Sequence, residues 1–180
     1  DDAATEPVDP NPPTPLFTLS GTIATSTSQT VDSDTNDPAH TAISNDDPAS
    51  PQSIPSPVTL GGYVNQPGTG EPGRSQQSGD VDDYFRVELL AGQSITMLVG
   101  EFAQADADLY LFDEQGFVVD FSVDTGRVES VSVPADGTYF VNAYAFFGAT
   151  NYILAIGTPN MPAGLGAQQY EIVPWQAVVS

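Results

Sequence analysis

An all-β chain folded as an antiparallel, jelly-roll-like β-sandwich is what this sequence predicts, on three observations. Apolar residues recur at every second position in short runs: Phe85, Val87 and Leu89; Ile95, Met97 and Val99; Leu109 and Leu111; Val131 and Val133; Tyr139, Val141 and Ala143. A period of two belongs to a strand with one buried face. Asp/Gly turns such as Asp113-Glu114-Gln115-Gly116 and Asp136-Gly137 separate the runs, at the roughly 8 to 12 residue spacing of sandwiches and barrels. Finally, 180 residues with 39% hydrophobic and 15% charged side chains suffice for one sizeable core.

Taken in order, residues 1–15 hold five prolines and four acids and read as an extended, solvated linker. Residues 16–23, with Leu16, Phe17, Leu19 and Ile23 among Thr and Ser, suit a strand at the sheet edge. Residues 58–64 form a further strand, in which Gly61 and Gly62 suggest a bulge. Residues 65–78 form a surface loop carrying Arg74. The turn at 113–116 predicts a hairpin between 109–112 and 117–121, and Asp136-Gly137 predicts another, joining 131–133 to 138–145. Between two strands, residues 144–152 gather aromatics. They fill the end of the sandwich if buried; if exposed, Tyr144, Phe146 and Phe147 make a stacking platform for a sugar ring or a protein chain. The pattern breaks after Gly157, so residues 16–157 are read as the sandwich and 158–180 as a linker with the start of a following segment.

Three Arg and no Lys stand against 24 acids, a formal net charge of -21. Nucleic acid and anionic membrane surfaces are therefore repelled. There is no cysteine, hence no disulfide, thiolate nucleophile or Cys-based zinc site. No apolar run reaches the roughly 18 residues of a membrane span, and an exported protein of this kind would already have lost its signal peptide. The single imidazole, His40, sits in a Pro/Asp/Thr-rich loop with no Gly-x-Ser-x-Gly elbow elsewhere, so no catalysis is expected of this chain.

The acids are concentrated ahead of the core strands. Asp32, Asp34, Asn36 and Asp37 are followed by Asn45, Asp46 and Asp47. Carboxylates so close repel one another unless a cation or water separates them, and hard oxygens at alternate positions are what Ca²⁺ coordination uses. An EF-hand loop is excluded, because its glycine position is Asp37 and its bidentate acid position is Ile43. The same residues also suit a chain of Asx-turns capped by prolines. Further acids, Asp80, Asp82 and Asp83, precede the first long strand; Asp106 and Asp108 precede a later one, and this last pair could close a second site or simply form solvated turns.

The runs Asp80-Val81-Asp82-Asp83-Tyr84-Phe85, Leu89-Leu90-Ala91-Gly92-Gln93, Asp108-Leu109-Tyr110-Leu111-Phe112-Asp113 and Ala135-Asp136-Gly137-Thr138-Tyr139-Phe140-Val141 resemble the bacterial pre-peptidase C-terminal domain. That domain is a β-sandwich accessory module of secreted proteases, and collagen-binding domains of clostridial collagenases are its relatives. The resemblance implies calcium ligands in an acid-x-acid-x-Asn-Asp run, matched by type at Asp32, Asp34, Asn36 and Asp37, with Asn45 and Asp46 matching its last two positions. It also implies a ligand two residues before the aromatic strand start, at Asp82, with Asp80 adjacent. Residues 170–179 resemble the opening of a subtilase-type propeptide. Together these imply a non-catalytic calcium-binding domain N-terminal to the catalytic domain of a secreted subtilase-like serine peptidase, aiding its folding, stability or positioning. The collagenase relatives and the aromatic loop raise an alternative, a module binding extracellular protein, collagen or polysaccharide. A purely electrostatic, salt-adapted surface is a third reading of the acid excess.

Overall fold

The computed structural model describes residues 29–39 and 41–157. The expected strand at 16–23, the linker at 1–15, His40 and the segment after 157 lie outside the described residues. Ten strands follow in chain order: β1 Gln29–Val31, β2 Gln52–Ser53, β3 Val58–Asn65, β4 Asp82–Leu89, β5 Ser94–Val99, β6 Asp106–Asp113, β7 Val118–Ser122, β8 Val128–Ser132, β9 Gly137–Phe147 and β10 Ala149–Ile156. They form two five-stranded sheets, ordered β1-β3-β10-β5-β8 and β2-β4-β9-β6-β7.

The alternation read from the sequence produces the interior. Leu60, Val64, Ile95, Met97, Val131 and Leu154 of one sheet meet Phe85, Val87, Leu109, Leu111, Val141 and Ala143 of the other in a single buried cluster. Each large side chain removed from water here stabilises the fold by about 1.5–3 kcal/mol.

Three features depart from the local reading. Both sheets are mixed, since β1 runs parallel to β3 and β2 parallel to β4. Asp136-Gly137 does not close a hairpin: β8 pairs with β5, whereas β9 pairs with β4 and β6. The turn passes the chain from one sheet to the other, and is fixed by Tyr139 Oη donating to the Ala135 carbonyl (2.8 Å) and by the Ala91 N–H donating to Asp136 Oδ1 (2.8 Å). Nor is there a bulge at Gly61-Gly62, where β3 keeps continuous register with β10. Gly62 is instead required by packing, because a Cβ there would lie 2.2 Å from the Tyr152 ring and hydroxyl. The hairpin at 113–116 forms as expected, with Gly116 at φ +82° and Asp113 Oδ1 accepting from the N–H groups of Gln115 and Phe117.

Two of the connections that cross between the sheets frame the acid-rich region. Residues 32–51 run from β1 on one sheet to β2 on the other, and residues 66–81 run from β3 to β4. The acid-rich segment therefore shares the sandwich mouth with the chain that carries Asp80.

Candidate metal centre

Each arm of the mouth is pinned by its backbone. The Asp32 N–H donates to the Gly61 carbonyl (2.9 Å), extending the β1–β3 pairing and turning the Asp32 side chain inward. The Ser33 hydroxyl donates to the Ile43 carbonyl (2.6 Å) and the Ile43 N–H to the Ser33 carbonyl (3.0 Å), which folds 33–43 back on itself. The Tyr84 N–H donates to the Asn45 carbonyl (2.9 Å) and hangs the return limb on β4. Asp80 is held by a two-bond bridge to Asn65 at the end of β3 (2.7 and 3.0 Å). The tight approach to Asp80 needs Gly79, at φ +83°, where a Cβ would also press on Pro67.

These constraints bring four carboxylates together. Asp32, Asp34, Asp80 and Asp83 are all buried, and each contributes an oxygen within 4.8 Å of the others. Among the described residues no other group of three or more acidic, His or Cys ligands converges in this way. Six oxygens of the four, both of Asp32, both of Asp80, and Oδ1 of Asp34 and Asp83, are buried with no hydrogen-bond partner. Buried polar groups are ordinarily satisfied, and a buried, unpaired charge is costlier still. Among carboxylate oxygens of Asp83, Oδ2 is satisfied: the buried Tyr152 hydroxyl donates to it at 2.6 Å.

The electrostatics express the same deficiency. Burial, and then the charges of their neighbours, raise Asp34 to about 7 and Asp80 to about 9. Burial raises Asp32 to about 6 against the weaker lowering effect of the polar groups of Ser33 and Asn45 beside it, and Asp83 is driven well above the carboxylate range by burial and by Asp32 and Asp80. Two unit charges 4 Å apart repel by about 4 kcal/mol at an effective dielectric of about 20. Carboxylates so arranged either hold protons or hold a cation. The donor set, all oxygen and all anionic, fits a hard divalent cation, and the unpartnered oxygens supply the coordination positions such an ion takes.

The remaining sequence candidates are distributed around this centre. Asp46 is exposed at the rim, where a recess of about 170 Å³ opens beside Asp34, Ser44, Asp46 and Asp80. Asn45 is buried against Asp32, with its amide Nδ2 donating to the Tyr84 carbonyl (3.5 Å). Asn36 is committed elsewhere: its Oδ1 accepts from the Ser75 N–H (3.0 Å) and hydroxyl (3.2 Å), and its Nδ2 donates to the Glu71 carbonyl (3.1 Å). Asp37 and Asp47 are Asx-turns, accepting from the N–H groups of Ala39 and Ala49 (2.8 Å each). Of the acids in this segment, Asp32 and Asp34 thus join the buried cluster while Asp37 and Asp47 form turns.

Asp82 faces away from the four, with its Oδ1 accepting from Asn142 Nδ2 (3.1 Å) on the outer face of the sheet. Its neighbour Asp83 takes the inward place. The signal lay in the alternation itself: counting back by twos from Leu89, Val87 and Phe85 arrives at Asp83.

Asp106 and Asp108 do not join the cluster. Asp108 is raised to about 6 by burial and by the charges of Asp106 and Glu129. Glu129, fully buried on β8, is a carboxylate that sequence reasoning passed over, although it shares the parity of Val131 and Val133. Its Oε2 accepts from the Ser122 hydroxyl (2.5 Å) and the Asp124 N–H (3.3 Å). The aromatic loop is split between its two readings: Tyr152 is buried and Tyr144 half-buried, but Phe146 and Phe147 are 61% and 63% exposed.

No family model matches the sequence, and no curated protein matches it. Among solved structures the chain is similar to the pre-peptidase C-terminal domain of a collagenase from Bacillus anthracis, at 14% identity and a TM-score of 0.45, over 58% of this chain and 92% of that one. It is also similar to PliG, a periplasmic inhibitor of g-type lysozyme, from Aeromonas hydrophila (16% identity, TM-score 0.34, 59% and 95% covered). For PliG from Salmonella Typhimurium the values are 15% identity and a TM-score of 0.35, with 59% and 96% covered. Identities this low leave the chemistry to the chain's own residues.

Proposed function

We propose that this chain is a non-catalytic, calcium-stabilised β-sandwich domain of a secreted protease, with Asp32, Asp34, Asp80 and Asp83 as the calcium carboxylates and Asp46 at the mouth. The observation that carries the reading is the set of six buried carboxylate oxygens without partners, gathered from separate parts of the chain. Ca²⁺ takes 6–8 oxygens at about 2.3–2.6 Å in flexible geometry, whereas Mg²⁺ keeps several waters and a stricter octahedron. A crowded, dehydrated, all-carboxylate site therefore favours calcium. Bound there, the ion offsets half the charge of the four carboxylates and ties residues 32–34 to the 66–81 connection and to β4. Through the Tyr152–Asp83 hydrogen bond the same tie reaches β10. The protease setting, with a following catalytic domain as partner, rests on the sequence resemblance. The non-catalytic role is supported by the single imidazole and absence of cysteine in the sequence.

A second reading, a binding module for extracellular protein or polysaccharide, is favoured by the exposure of Phe146 and Phe147. Retention on insoluble polymers, lost in Phe146→Ala or Phe147→Ala, would support it.

Thermal unfolding in EDTA and in added CaCl₂ tests the leading reading. At a hundred to a thousand times the dissociation constant, calcium should add about 2.7 to 4.1 kcal/mol. That corresponds to a rise of about 5–16 °C for a chain of this size. The rise should vanish in an Asp32→Ala/Asp34→Ala variant; an equal rise with NaCl at matched ionic strength would replace calcium by a general salt effect.

A further inference from the structure

The outer face of the β2-β4-β9-β6-β7 sheet is aromatic where an alternating strand pattern ordinarily presents polar side chains to water. Tyr84 of β4, Tyr110 and Phe112 of β6, Phe121 of β7, and Phe140 and Tyr144 of β9 share it. Their register is contiguous: Tyr84 lies opposite Asn142, Asn142 opposite Tyr110, Tyr110 opposite Phe121, and Phe112 opposite Phe140. Ring centroids are 6.2 Å apart for Tyr110–Phe112, 6.3 Å for Tyr110–Phe121 and Tyr84–Phe112, and 6.4 Å for Tyr110–Tyr144. Phe121 is 57% exposed, and Val118 beside it 52%. This is one plate of rings rather than scattered surface aromatics.

Its charges are predominantly negative. Tyr144 sits in register between Asp82 and Asp108. Arg86, the one cation on β4, lies 3.3 Å from Glu88 on its own strand. The whole chain supplies only three Lys or Arg against 24 acids. Aromatic faces carry negative potential and attract guanidinium and ammonium groups. Carboxylates beside them add to that attraction, and the field of the molecule steers basic partners inward and anionic ones away.

We propose that this aromatic sheet face binds an extended, basic segment of another protein, its Arg and Lys side chains lying across the Tyr84, Tyr110, Phe112, Phe121 and Tyr144 rings, with the half-buried Asp82 as counter-charge and the buried Asp108, which accepts from the Tyr110 hydroxyl, adding to the negative field. The occupant follows from charge complementarity: a neutral glycan would stack on the same rings and hydrogen-bond to carboxylates, but only a basic chain gains from the net negative field. The inference goes beyond the calcium reading and does not depend on it, since the plate and the four-carboxylate cluster use different side chains.

The test titrates the full, calcium-saturated chain with an oligoarginine and an oligolysine peptide by calorimetry, at about 0.15 M salt, where the Debye length is about 8 Å. Tyr110→Ala and Phe121→Ala leave the net charge unchanged; each should weaken binding roughly tenfold, the range of a desolvated cation–π contact. Phe102→Ala, in the β5–β6 connection and outside the ring contacts of the plate, where Arg127 lies over the ring, should leave the affinity as it was. Phe121→Ala removes a mostly exposed ring, so a native melting curve beside weakened binding assigns the loss to the contact. Affinity that is the same in the aromatic variants would overturn the proposal, because binding would then follow net charge alone. So would wild-type protein that ignores both peptides but binds neutral oligosaccharides or a collagen-like triple helix. Failure of the calcium reading would appear in the melting curves, failure of this one in the titration.

Discussion

The interior of the sandwich and its acidic mouth are built to opposite specifications. Between the sheets the large apolar side chains find partners from the chain itself: Phe85, Leu109, Leu111, Met97 and Leu154 are fully buried in one apolar cluster. At the mouth, a few residues along the same β4 strand, Asp83 is just as buried but shares its space with three other carboxylates and leaves an oxygen unpartnered. One region is complete as synthesised. The other is complete only when something positive, a proton or a metal ion, is added. The fold thus supplies a rigid frame that holds a deliberately unsatisfied site, and the two should respond differently to the same perturbations.

The largest expected effect lies in the interior. Phe85→Ala should cost about 3–5 kcal/mol, equally in EDTA and in calcium; a loss that depended on calcium would show that the frame is not independent of the mouth. Next comes removal of the ion, worth about 2.7–4.1 kcal/mol under the conditions given above, and this effect should carry a pH signature. In the metal-free protein the pKa values of Asp32, Asp34 and Asp80 stand at about 6, 7 and 9, above the ordinary value of 3.8. The folded state therefore binds their protons more tightly than the unfolded chain does. That contribution is fully present below the ordinary carboxyl range and is lost as pH rises through about 6 to 9. Melting in EDTA should fall across this window, while calcium, which needs ionised ligands, should stabilise more as pH rises. A gap between the two melting curves that narrows with rising pH would contradict this.

Smaller effects probe the joint between the regions. Gly62→Ala places a methyl group against the Tyr152 ring and should cost about 1–3 kcal/mol as an overpacked site. Because Tyr152 also orients Asp83, calcium affinity measured in the same variant should fall with it; unchanged affinity would separate the two. Least affected should be Asp47→Ala, which removes one exposed Asx-turn acceptor and should change stability by no more than about 0.5 kcal/mol, with or without calcium.

What could be read from the sequence follows the same division. Period-two alternation named the interior residues from Phe85 to Ala143, because burial of one strand face is a local pattern. Asp136-Gly137 misled as a hairpin, since turn chemistry is local while the choice of sheet is made by distant partners. Asp83 was within reach, as it shares the parity of Phe85, and so was Glu129, which shares that of Val131. Both were obscured by the expectation that acids face water. Asp80 is different: its place beside Asp32 and Asp34 depends on the bridge to Asn65 across a connection of fourteen intervening residues, 66–79, which no local pattern encodes. The aromatic plate was equally hidden, because Tyr84, Tyr110, Phe121 and Tyr144 become neighbours only through strand order.

The central claim, that a single step of strand parity decides which acid meets the metal, is tested most directly by calcium calorimetry on Asp82→Ala beside Asp83→Ala. Asp83→Ala should lose calcium binding by tenfold or more, as one of four converging carboxylates is removed, while Asp82→Ala should keep an affinity close to that of the unaltered chain. Full binding by Asp83→Ala with loss in Asp82→Ala would contradict the assignment of the site.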